Sequence, residues 1–116
     1  MTMRLAVGMA AALLLLVGCG GDDGGGNGNV VRMEADAFSP ETLTVESGES
    51  ATFENASDDD KWPASNVHPT HELYPEFDAM NAVLPGESYS FTFERTGSWG
   101  YHDHLNPGIQ GTIVVE

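Results

Sequence analysis

The stretch Gly97-Ser-Trp-Gly-Tyr-His-Asp-His-Leu-Asn-Pro-Gly-Ile-Gln-Gly-Thr-Ile-Val-Val115 leaves the chain little choice of fold. Aromatic and β-branched residues at its two ends, with Pro107 and Gly108 between them, read as a strand, a short loop and a second strand. Side chains alternate along a strand, so Trp99, Tyr101 and Asp103 share one face while His102 and His104 share the other. Two residues along a strand span about 6.6 Å, which lets both imidazoles reach one metal ion. A second pair sits earlier, in His68-Pro-Thr-His71, and these four are all the histidines of the chain.

The rest of the C-terminal part reads the same way. Val30 to Glu34 is a first strand, and Leu43 and Val45 lie on one face of a second, which ends in the turn Glu46-Ser-Gly-Glu49. Ala51 to Glu54 and Tyr89 to Phe93 follow, the latter preceded by the turn Leu84-Pro-Gly-Glu87. Short strands between Gly/Pro turns, with no helical period, indicate an all-β sandwich or small barrel. The exception runs from about Ala56 to Glu87. It holds Asp58-Asp-Asp60, Trp62 and the first histidine pair, and a structureless segment of that length is functional or disordered. Trp62, Leu73, Tyr74 and Phe77 need something to pack on and argue against disorder. The segment is expected to fold over one end of the sandwich as a loop, with a helical turn around Glu76 to Asn81. Asp58 to Asp60 reads as a solvated charge run, and Trp62, Met33 and Met80 as packing.

The N-terminal part is built for export. Arg4 is followed by an apolar run, Leu5 to Val17, too short to span a bilayer but of the length of a signal h-region. Leu16-Val17-Gly18-Cys19 looks like a lipobox, with Cys19 as the lipid-modified first residue of the mature protein. Residues 1–18 are therefore expected to be a lipoprotein signal peptide, 19–29 a Gly/Asp-rich tether, and 30–116 one small domain. The expected location is the cell envelope, anchored in a membrane and facing the periplasm or exterior. Cys19 is the only cysteine, so the domain has neither a disulfide nor a thiolate ligand. Four Lys/Arg against eighteen Asp/Glu, a formal net charge of −14, exclude a phosphate-binding surface and hence nucleic acid as a partner.

From Val30 to Glu116 the motifs run in a recognisable order: Phe38-Ser-Pro with Leu43-Thr-Val45, Gly48, and Thr52-Phe-x-Asn55. Pro85-Gly-Glu87, Phe91-x-Phe93, Gly97-x-Trp99-x-Tyr101 and Pro107-Gly108-x-x-Gly111-Thr-Ile-x-Val complete it. In this the domain resembles the cupredoxins, which implies a Greek-key β-sandwich, here with one long inserted loop. The family's C-terminal loop carries a blue-copper Cys, His and Met. Against that pattern this chain has Asp103, Asn106 and Ile109, and without a thiolate there is no blue-copper site. Gly97-x-x-x-Tyr101-His102-Asp103-His104 is instead similar to the His-x-His segments of multicopper oxidases and the Tyr-His segment of copper nitrite reductases. In those enzymes such histidines point outward, to a copper at a domain or subunit boundary.

Neutral imidazoles without sulfur suit a type 2-like Cu(II) site, with zinc as the alternative. The candidate ligands are His68, His71, His102 and His104, with Asp103 and Glu72 as carboxylates that orient an imidazole; Asp78 is a further candidate on the same loop. The expectation is an exported copper-binding protein working in copper handling or redox, with a redox or metal-transfer protein as its partner. Two other readings stay open. One is a homo-oligomeric oxidase- or reductase-like enzyme whose copper lies between subunits; the other is a metal-free binding module.

Overall fold

The computed structural model of the chain describes residues 28–68 and 70–116. The expected signal peptide, Cys19 and nearly all of the expected tether lie outside the described residues. Among the described residues, eight strands form two sheets: β1 Val30–Met33, β2 Phe38–Ser39, β3 Thr42–Val45, β4 Glu49–Asn55, β5 Pro63–Ser65, β6 Ser88–Phe93, β7 Gly97–Asp103 and β8 Asn106–Val115. One sheet has the order β2-β1-β4-β6 and the other β3-β8-β7-β5. The β1–β4 and β3–β8 pairs are parallel and the rest antiparallel.

The alternation in the sequence becomes two inner faces. Val31 and Met33, Leu43 and Val45, Ala51 and Phe53, and Ile109, Ile113 and Val115 are buried at every second position. Phe53, Phe77, Phe93 and Tyr101 fill the space between the sheets, with Phe77 within 5.5 Å of the other three ring centroids. Pairs of this kind contribute about 0.5–1.5 kcal/mol each beyond the area they bury. Leu84-Pro-Gly-Glu87 forms the expected turn, closed by the Glu87 amide on the Leu84 carbonyl, with Gly86 at φ +85°, where only glycine is unstrained.

Three details depart from the sequence reading. The last strand begins at Asn106 rather than Gly111, so Pro107 and Gly108 lie within it and the connection is only His104–Leu105. The long segment contains a strand, β5, which pairs with β7, and two further bridges, Lys61 to Val83 and Ala64 to Asp78. Residues 76–81 form no helical turn; Phe77 closes a tight turn on Tyr74, and Asp78 is bridged. Tyr74 and Phe77 are buried, and they hold this otherwise irregular segment against the sandwich. Met33 packs in the core as expected, whereas Met80 is exposed and packs on nothing. Asp58, Asp59 and Asp60 are all exposed, in keeping with a solvated run.

Candidate metal centre

Strand β7 carries the site on its outer face. Tyr101 points into the core, so His102 points away from it, and a lone outward strand imidazole would be solvated. Instead His102 is 1% exposed, because the segment after β5 crosses over it. The crossing is close: the Asn66 amide nitrogen donates to the Gly100 carbonyl, and a Cβ on Gly100 would lie 2.8 Å from the Asn66 side chain. A side chain at Gly100 would push the Asn66 carboxamide out of this position. Asn66 Oδ1 then accepts from His102 Nδ1 at 2.8 Å. With Nδ1 donating, Nε2 carries the lone pair and faces the centre of the cluster.

His71 is fixed by the same logic from another side. Its Nδ1 lies 2.9 Å from Asp78 Oδ2, leaving Nε2 as the donor atom toward the cluster. Its backbone sits in the left-handed region at φ +58°, a conformation that costs a non-glycine residue about 1–3 kcal/mol and is kept where the surroundings demand it. The Ser65 hydroxyl, which donates to the His71 carbonyl at 2.9 Å, is part of that restraint. Asp78 is held in turn: its Oδ1 accepts from the Trp62 indole at 2.7 Å and from the Met80 amide at 2.9 Å. Burial alone would raise the Asp78 pKa. The Trp62, Met80 and His71 hydrogen bonds outweigh it and hold the carboxyl below its ordinary range.

His104 lies just past the end of β7, beyond a register shift at His102/Asp103, and its amide donates to the Trp62 carbonyl at 2.7 Å. Its ring packs on the Trp62 indole, centroids 4.7 Å apart. His68, on the exposed crossing segment, completes the group. His71 Nε2 and His104 Nδ1 are 3.1 Å apart, and His68 Nδ1 and His102 Nε2 are 3.2 Å apart. One nitrogen from each of the four rings lies within 4.8 Å of the others.

This donor set fits a metal ion. A metal at about 2 Å from each imidazole nitrogen needs neighbouring donors roughly 3 Å apart, which is the spacing of the two close pairs. Burial, reinforced by the neighbouring imidazoles of His71, His68 and His104, pushes the His102 pKa down to about 4, so its lone pair is free at neutral pH. Four neutral nitrogens and no sulfur is chemistry for copper, zinc or nickel. All four imidazoles come from one chain, so no second subunit is needed to gather them.

Of the three carboxylates named from the sequence, Asp103 and Glu72 sit elsewhere. Asp103 points inward; its Oδ1 accepts from the backbone amides of Trp62 and Leu105, and its Oδ2 lies 3.7 Å from Lys61 Nζ. Lys61 also donates to the Ala35 carbonyl and is only 2% exposed. Glu72 is exposed and, among the described residues, makes no hydrogen bond to an imidazole. Asp78 is the carboxylate that orients a histidine. Asn66 was not singled out in the sequence, where nothing distinguishes it from any other loop asparagine. Trp62, expected only to pack, does so on His104 and also steadies Asp78.

Comparison with known proteins agrees with this architecture. The family model for the cupredoxin-like domain matches residues 7–115. Plastocyanin of Scenedesmus fuscus is 33% identical over 100 residues, covering 74% of this chain and 97% of its own. Plastocyanin of Solanum crispum is 33% identical over 89 residues, covering 68% and 87%. Among solved structures, a reduced amicyanin variant superposes with a TM-score of 0.65 at 23% identity, covering 75% of this chain and 80% of its own. A purple cupredoxin from Nitrosopumilus maritimus gives 0.65 at 18% identity, covering 75% and 98%. Fold, motif order and relatives agree: the chain belongs to the cupredoxin family, with a histidine cluster on the outer face of β7 in place of the blue-copper ligand set.

Proposed function

We propose that this protein is an exported, lipid-anchored cupredoxin that binds a single Cu(II) through His68, His71, His102 and His104 in a type 2-like nitrogen site. It works in copper handling or redox at the cell envelope. The observation that carries the reading is the convergence of four imidazole donors, two with their tautomer set by Asn66 and Asp78. Copper is favoured over zinc by the family, whose members bind copper and serve as redox partners. The anchor rests on the Leu16-Val-Gly-Cys19 motif behind a short apolar run. Blue-copper electron transfer is excluded from the proposal, because no thiolate is present in residues 30–116.

When bound, copper would supply a Lewis-acidic, one-electron redox centre. The chain's own groups do the rest. Asp78 and Asn66 orient their imidazoles, Trp62 covers His104, and the segment after β5 shields His102 from water. Titration of the protein with Cu(II) should give a stoichiometric type 2 EPR signal with nitrogen superhyperfine structure. Binding no stronger than that of a variant lacking all four histidines would refute the reading. Globomycin-sensitive processing and palmitate labelling at Cys19, lost in Cys19→Ala, would test the anchor separately.

A further inference from the structure

The four imidazoles are not held alike. His71 is tied through Nδ1 to Asp78 and through its carbonyl to Ser65. His102 is paired on both sides, with Ala64 and Gln110, is tied to Asn66 and is 1% exposed. His104 is fixed through its amide to Trp62 and packs on that indole. His68 is exposed, and among the described residues the only hydrogen-bonding contact of its ring is His102 Nε2, another member of the cluster. Its neighbour Val67 is 62% exposed and anchors nothing in the core. Three nitrogens are thus held by groups outside the cluster, and the fourth is held only by the cluster itself. Ordering such a ring costs rotamer entropy that the other three have already lost to their partners.

We infer that His68 is a releasable ligand, and that the coordination position it covers is open to a small anionic donor supplied from solvent. This rests on the copper reading above. With His71, His102 and His104 retaining the ion, the exchange swaps one donor for another and leaves the oxidation state unchanged: the His68 lone pair leaves, and that of the anion takes its place. The position faces outward, since His68 is the most exposed member of the group. A neutral trio around a dication leaves positive charge there to attract an anion. Entry of larger donors is limited by the segment that carries His68 itself.

The test uses the full chain loaded with one equivalent of Cu(II), and azide as the probe. His68→Ala should stay folded, keep one copper and lose no more than about tenfold in affinity, whereas His71→Ala and His102→Ala should lose about a hundredfold or more. Azide should bind the His68→Ala protein at least about tenfold more tightly than the wild type, because the competing ring is gone. The readout is the azide-to-copper charge-transfer band together with a shift of the copper EPR parameters. Loss of copper from His68→Ala as complete as from His102→Ala would overturn the inference, as would equal azide affinity in variant and wild type. Wild-type protein that binds no Cu(II) would remove the copper reading and this inference with it. Wild type that binds copper, with azide unable to reach it in His68→Ala, would remove the inference alone.

Discussion

The C-terminal end of strand β7, Tyr101 to Asp103, is buried on both faces, by different means and for different ends. Its inner face presents Tyr101 and Asp103, sealed by aromatic rings and by the Lys61 ammonium. Its outer face presents His102, sealed only by a crossing segment that brings more imidazoles with it. Adjacent residues of one strand therefore serve stability on one side and chemistry on the other. In this chain Asp103 is a structural group on the inner face, and the histidine cluster lies on the opposite face, one residue away.

The largest expected effect tests the inner face. Asp103→Asn leaves Lys61 buried beside a neutral amide and should cost about 3–5 kcal/mol of stability, read from the urea midpoint of metal-free protein. Copper stoichiometry should survive in the fraction that stays folded. If the variant instead unfolds no more readily but loses copper, the division between the faces is wrong. The converse change, His102→Ala, should lower copper affinity by about a hundredfold or more while moving the midpoint far less than Asp103→Asn does. Weaker again is Asp78→Asn, which keeps the shape but loses the carboxylate that orients His71. It should cost about 10–100-fold in copper affinity, measured by competition with a chromophoric chelator.

Acid should act through the outer face. The unfolded chain protonates His102 near 6.5, whereas the folded protein resists protonation until about 4, because burial and the surrounding imidazoles disfavour the cation. Between those values the unfolded state binds the extra proton, so metal-free protein should lose stability as pH falls from about 6.5 to 4, at up to about 1.4 kcal/mol per pH unit. His102→Gln should flatten that slope in urea titrations at a series of pH values; an unchanged slope would assign it to other groups. The smallest effect belongs to Tyr101, whose hydroxyl is buried with no partner among the described residues and whose pKa burial raises. Tyr101→Phe should leave stability unchanged or raise it by about 1 kcal/mol at most, read from the urea midpoint.

How much of this the sequence carried follows from the same two faces. Strand parity put Tyr101 and His102 on opposite faces, the family resemblance said which of them faces outward, and the tight spacing of the histidine pairs pointed to a shared centre. What sequence could not supply was the path of the segment from Ala56 to Glu87. Which carboxylate meets which imidazole depends on that path, and Asp103, Glu72 and Asp78 were equally placed until β5 and the Ala64–Asp78 bridge fixed it. Pro63-Ala-Ser65 shows no alternation because all three residues are buried, so it gave no strand signal. Nothing in the sequence marks Lys61 as buried, and only its proximity to Asp103 shows why it is inside.

That buried ammonium has a consequence for how the protein is made. Lys61 stands against Asp103 inside the sandwich, so this carboxylate has a partner from the chain itself and needs none from a metal. The fold should therefore form before any metal arrives and be charged afterwards at the exposed rim where His68 lies. Stripping the ion should return a native, reloadable shell, not an unfolded chain.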